Sequence, residues 1–281
     1  MVRAIHIGMM AWAVVLLAGC QPAEPEKPLW EDVKVRDLAP KRDGKTVGPR
    51  VLNTINIDVH IWEIPADEVG KLEKAWAMLR KEPLRYYSYS AFEGNLFSAG
   101  FGQVKDWGKV HEVLVSMGGQ KAAQISLLLS DRQEQDLPIA RPARQEVSHI
   151  TAEGERRTAV VGPGVIALRI KGQRIPGARG VCAVVAYPVF TLGLTTAIPE
   201  LAERAKAQEL DFTGAGFGMR MGVGDVVLLG PKQYISDTTT LPGLVFSNPE
   251  GSLFFYAGSR KRPERREAVR LFILVCTRIS D

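Results

Sequence analysis

The segment that most restricts this chain is its last long apolar run, Val269 to Ile279, VRLFILVCTRI. Read as a strand, it puts Val269, Leu271, Ile273 and Val275 on one face and Phe272, Leu274 and Cys276 on the other. A strand that is apolar on both faces must be covered on both, so it belongs inside a layered structure and not at a wet edge. Arg270 and Arg278 mark its ends.

Elsewhere the periodicity is also mostly that of strands. Ile55, Ile57, Val59 and Ile61 alternate with Asn56, Asp58, His60 and Trp62, a strand with one buried face. Ala123–Leu129 reads as a buried strand. From Gln145 onward the chain is mainly β: Ile166, Leu168 and Ile170 alternate with Ala167, Arg169 and Lys171, and Val181–Phe190 is continuously apolar. Three helices interrupt this pattern. Ala66–Arg80 carries Val69, Leu72, Trp76 and Leu79 on one face. Asp106–Met117 has Asp106 as its cap and Gly118 and Gly119 as its stop. Pro199–Gln208 is rich in helix formers, with proline in the first turn. The expected fold class is therefore α+β and β-rich, with antiparallel strands, two helices in the N-terminal half and one further short helix. The stretch Gly180–Pro199 is twenty residues without a charge, but its proline, glycine and β-branched residues favour a strand plus loop over a membrane helix.

The N-terminus is an address. Arg3 precedes the uncharged apolar run Ile5–Leu17, the pattern of a secretory signal too short for a comfortable membrane span. Leu17, Ala18, Gly19 and Cys20 then resemble the lipobox of bacterial lipoproteins, which implies cleavage before Cys20 and a lipid on it. The alternative is an ordinary signal peptide with an accidental cysteine. Gln21, which is not aspartate, implies the outer membrane within that family. Residues 1–20 are accordingly a signal, and 21–50 a tether: five prolines and charges of both signs leave too little apolar surface for order. At thirty residues it would span ~30 Å. The body is 51–281, within the reach of one large β domain at ~150 residues per average domain.

Composition narrows function by exclusion. The chain has 281 residues, is 46% hydrophobic and 24% charged, and carries a net +5. That mild excess does not by itself argue for nucleic acid, and no nucleic-acid partner is expected. Histidines 60, 111 and 149 lack metal-ligand spacing; His60 and Glu63 fall on opposite faces of a strand. Gly214, Gly216 and Gly218 lack the remainder of a nucleotide loop and read as a bent or crowded strand. No serine sits in a nucleophile elbow, and Asp131, Glu134 and Asp136 read as solvated loop carboxylates. No catalytic set, metal or cofactor is therefore expected. Cys182 and Cys276 are either a disulfide permitted by export or two free buried thiols. The run GSRKRPERRE, with Arg260, Lys261, Arg262, Arg265 and Arg266, is either a solvated loop between strands or a surface for lipid or phosphate.

The order of elements across 51–281 resembles the core domain of bacterial secretins, the ring-shaped outer-membrane channels. INIDVHIWEIP (Ile55–Pro65) resembles the strand that opens that core, followed by the helices at Ala66–Arg80 and Asp106–Met117 and the strand Ala123–Ser130. Gln145–Ile150 and GPGVIALRI (Gly162–Ile170) are similar to its next strands, VGDVVLLG (Val223–Gly230) to its glycine-turn hairpin, LPGLVF (Leu241–Phe246) to its proline-glycine-leucine-phenylalanine stretch, and Val269–Ile279 to its terminal strand. The resemblance implies a strand at Val269–Ile279 paired centrally with Val226–Leu229. It also implies a lipid-anchored, non-catalytic envelope protein on the periplasmic face of the outer membrane, acting with further copies or with secretion components. The alternative is a periplasmic binding or scaffold lipoprotein with no channel role; a hydrolytic enzyme is a third and weaker reading.

Overall fold

The computed structural model describes residues 54–193, 198–255 and 263–280; Cys20, the tether 21–50 and the basic residues Arg260, Lys261 and Arg262 lie outside them. In chain order the first half comprises β1 (Thr54–Pro65), α1 (Leu72–Met78), β2 (Arg85–Tyr86), α2 (Tyr89–Gly94), β3 (Phe97–Gln103), α3 (Val104–Ser116), β4 (Gln120–Ser130) and β5 (Glu134–Ala140). There follow β6 (Gln145–Ile150), β7 (Arg156–Val161), β8 (Val165–Arg174), β9 (Val181–Thr191), α4 (Pro199–Ala207), β10 (Leu210–Asp211), β11 (Phe217–Gly222), β12 (Asp225–Pro231), α5 (Leu241–Phe246), β13 (Ser247–Phe254) and β14 (Glu264–Ile279).

These strands make two six-stranded sheets and one hairpin, and every strand pairing is antiparallel. The first sheet runs β3-β12-β14-β1-β4, with β13 on the side of β14 that β12 also uses. The second runs β2-β11-β9-β8-β5, with β10 added to β9. β6 and β7 form the separate hairpin.

β14 lies in the middle of the first sheet. It pairs with β1 from Ala268 to Ile279 and, on its other side, with Val226–Leu229 of β12. Both of its faces are buried: Leu271 and Ile273 on one, Phe272, Leu274 and Cys276 on the other. The first face lies under the helices. A Cβ placed on Gly230 would stand 2.6 Å from Leu271 Cδ2 and 3.4 Å from Trp76 of α1, so the missing side chain is what lets helix and sheet close. Farther along, Trp62 of β1 meets Trp107 and His111 of α3 edge-on, at 6.4 and 5.1 Å between ring centroids. The opposite face packs on the second sheet. Ile55 and Leu129 press on the backbone of β8 at Gly172, where a Cβ would meet Leu129 and Ile55 at 3.0 and 3.1 Å. The body is thus three layers: helices, first sheet, second sheet.

Five α-helices are present among the described residues where three were expected. The two additions, α2 and α5, have six residues each, too short to show a period. Their trace in the sequence is their caps: Ser88 Oγ accepts from Ala91 N and Thr240 Oγ1 from Gly243 N, each at 3.3 Å. The expected helix over 66–80 divides into a 3-10 stretch, Ala66–Lys71, and a shorter α1, with Gly70 near the division. α3 starts two residues before Asp106, which sits in its first turn and does not cap it.

Central, two-sided burial makes β14 sensitive to truncation. Ile273→Ala is expected to cost about 2–5 kcal/mol in denaturant unfolding, while Arg278→Ala, exposed near the strand's end, should change stability by less than about 0.5 kcal/mol. A wild-type midpoint for Ile273→Ala would contradict the central placement.

Candidate docking edge and its charged surroundings

A sheet offers a partner its unpaired edge, and the edges of this body differ in what covers them. β3 is closed by a two-way bridge with Arg80, whose N–H donates to Phe101 O at 2.8 Å while Phe101 N–H returns a bond at 2.7 Å. β13 carries Pro249 and an irregular register between Asn248 and Ser252. β5 is interrupted by Pro138 and a register shift before Ala140, which leaves Glu134–Leu137 as its regular part. β4 has a bulge at Ala122 and turns a corner into β5, with Ala123–Leu127 between.

β11 is different. Its partner on the outer side, β2, pairs only with Phe217 and Gly218. From Met219 to Gly222 no described strand lies beside it, and a groove of about 580 Å³ opens there. Gly218 and Val185 belong to its floor, Tyr87 and Met219 give it apolar walls, and the exposed Arg85 and Arg220 make its margin basic. Burial pushes the neighbouring Tyr86 phenol up to about 12, so that hydroxyl stays neutral. Just before β11, Gly214 and Gly216 lie in crowded surroundings. A Cβ on Gly214 would come within 2.2 Å of Ile150 O, and one on Gly216 within 3.1 Å of the Tyr87 ring. The reading of this stretch as a bent or crowded strand holds only at Gly218, which lies in β11; Gly214 belongs to a 3-10 turn, Thr213–Ala215, and Gly216 to the link that follows it.

The far margin of the same sheet is acidic. Arg169, on the outward side of β8, is only 6% exposed. Its guanidinium donates to both oxygens of Asp136, at 2.7 and 2.8 Å, and to Glu209 at 2.8 Å, with Glu134 and Asp211 each at 3.7 Å. Lys171 adds a second cation 3.6 Å from Glu134. The hydrogen bonds that Arg169 donates to Asp136 raise its pKa further, so it is charged at every accessible pH. Asp211 moves up because burial and its acidic neighbours outweigh the pull of Arg169. Glu134 and Asp136, expected to be solvated, are therefore bound to a buried cation. What hid this is that Arg169 lies 33 residues beyond Asp136 in the sequence.

The remaining sequence candidates are dispersed. Asp131 accepts from Arg174 N at 2.8 Å, a turn contact. Glu63 is buried against Asn248, Ser252 and Arg270. His60, His111 and His149 lie apart, and no group that could hold a metal occurs among the described residues. Arg265 donates to Glu250 O at 3.1 Å and Arg266 pairs with Asp67; as consecutive strand residues they point to opposite faces. No described helix is long and apolar enough to cross a membrane, and Val181–Thr191 in the charge-free stretch is strand β9. Cys182 and Cys276 are both buried and unbonded. No family model, characterised protein or solved structure matches the chain.

Two predictions follow from these charges. Arg169→Ala leaves four carboxylates facing one another and is expected to cost about 3–5 kcal/mol at pH 7; the deficit should shrink as the pH falls and those carboxylates protonate, which denaturation at several pH values would read. The second concerns His60 and His149, whose pKa values burial lowers from 6.5. The unfolded chain then binds more protons, so this contribution to stability is complete above the unfolded pKa and is lost as pH falls below it. The drop in melting temperature from pH 7 to 5.5 should therefore be smaller in His60→Gln/His149→Gln than in wild type.

Proposed function

We propose that this chain is a lipid-anchored, secretin-like protein of the bacterial cell envelope, held at the periplasmic face of the outer membrane through Cys20, with a non-catalytic role in a secretion or envelope assembly. Its body works by strand pairing with further copies of itself. The observation that carries this reading is the open edge of β11 with its basic groove, on a sheet whose other margin is acidic. A head-to-tail contact would bring Glu134 of one copy against Arg85 and Arg220 of the next, and would continue the sheet from β11 into the regular part of β5. Contacts of this heterologous kind close into rings or extend as filaments. The position of β14 between β12 and β1, as the secretin resemblance implies, adds support.

The apolar floor and walls of the same groove favour a second reading, a periplasmic binding or scaffold lipoprotein that takes an extended peptide. β-Augmentation of this type draws affinity from main-chain bonds and specificity from side-chain pockets.

Size measurement of the detergent-solubilised, full-length protein separates the two. A large, discrete oligomer is expected. Arg220→Glu should dissociate it, and adding Glu134→Lys should restore it by exchanging the charges. A monomeric wild type would overturn self-assembly and leave the binding reading. Cys20→Ser should move the protein from the membrane to the soluble fraction; firm membrane retention of that variant would contradict the anchor.

A further inference from the structure

Sheets packed face to face lie about 10 Å apart, too far for a disulfide, whose Cα atoms stand about 5.5–6 Å apart. Where the chain passes directly from one sheet to the other, the two are drawn together. After β11 in the second sheet the chain enters β12 in the first across only Val223 and Gly224. On one side of that crossing Met221 is the register partner of Cys182 in β9, and the Cys182 thiol donates to Met221 O at 3.5 Å. On the other side Gly224 N–H donates to Cys276 O in β14 at 2.8 Å. The short crossing therefore holds the two cysteines against each other from facing sheets, both 0% exposed.

We infer that Cys182 and Cys276 are a disulfide site, a covalent staple between the two sheets at the point where the chain passes from one to the other. The neighbouring Cys182 thiol, ahead of burial, pushes the Cys276 pKa up. Because both sulfurs are inaccessible in the closed body, exchange takes place on the folding chain. One cysteine thiolate attacks the disulfide of an oxidant of the disulfide class, a small-molecule disulfide or a dithiol oxidase, and forms a mixed disulfide. The second thiolate attacks the protein sulfur of that bond. The staple forms, the oxidant leaves as two thiols, and the two protons and two electrons lost by the cysteines are those the oxidant gains. Cys20 does not compete if its sulfur carries the lipid. That clause, and the oxidising setting, rest on the proposed export; the pairing itself does not.

The full-length protein, reduced and unfolded, is refolded with oxidised glutathione, and its thiols are alkylated under denaturing conditions before peptide mass spectrometry. The expected product is a peptide pair linked through Cys182 and Cys276, with a melting temperature on the order of 10 °C above that of the reduced form and lost on adding reductant. Cys182→Ala and Cys276→Ala should show no such reductant-dependent shift; should either fail to fold, the wild-type thiol count decides. Two alkylated thiols, or glutathione retained on either cysteine, would overturn the inference. The same alkylation on protein taken directly from cell envelopes reports on export: a link formed on refolding but absent there supports the staple and overturns the exported reading.

Discussion

Almost every layer of the body touches β14, and the physical constraint on it is severe. A strand buried on both faces offers no side to water, so each neighbour must supply both a hydrogen-bonding edge and an apolar surface. β1 and β12 supply the edges. The helices cover Leu271 and Ile273, and the second sheet with α5 covers Phe272, Leu274 and Cys276; Phe246 of α5 lies 6.2 Å from the Phe272 ring. The first residue of the register, Ile55, and its last segment, Ala268–Ile279, come from opposite ends of the body. The fold therefore cannot complete its core until nearly the whole body has been made, a high contact order that favours slow folding.

The Arg169 cluster solves a different problem. On the outer face of the second sheet Ala167 and Val189 are buried beside Arg169. The short segment through Glu209 and β10, which pairs with β9 at Val189 and Phe190, brings Glu209 and Asp211 to Arg169. An arginine paired with one carboxylate at a surface contributes little, because water screens it. Arg169 is almost fully enclosed, so its attraction is less screened, and its planar fork satisfies Asp136 with two bonds and Glu209 with another. The surplus of carboxylates over cations leaves that margin net negative, and this surplus gives the sheet its polarity from end to end.

How much of this was legible in the sequence differs by scale. β1 and β14 were legible because alternation and two-sided apolarity are local properties of a strand, and the central position of β14 follows from them. α3 and α4 were legible from a helical face or helix-forming composition bounded by glycine or proline. The short α2 and α5 were not, since six residues cannot display a period and only Ser88 and Thr240 announced them. The candidate site was almost invisible. An open edge is the absence of a neighbour, and no residue within Met219–Gly222 states that β2 stops after two residues. The Arg169 cluster gathers side chains from β5, β8 and the segment around β10, each of which reads alone as an ordinary polar position. Cys182 and Cys276 were visible as a possible pair by count, but their contact depends on the crossing between β11 and β12.

The distribution of edge protection bears on function more directly than any single residue. Open edges invite misassembly, and proteins close them with prolines, bulges, charges or covering chain. This body uses such devices on β3, β5 and β13, so the exposure of β11 beside an apolar groove is not the result of a fold without means to close it. On the proposed reading the lipid supplies the missing control. Confinement to a membrane by a tether of ~30 Å reach raises the effective concentration of neighbouring copies far above that of a freely diffusing protein. A short edge of four residues then pairs more readily among anchored copies than among freely diffusing ones.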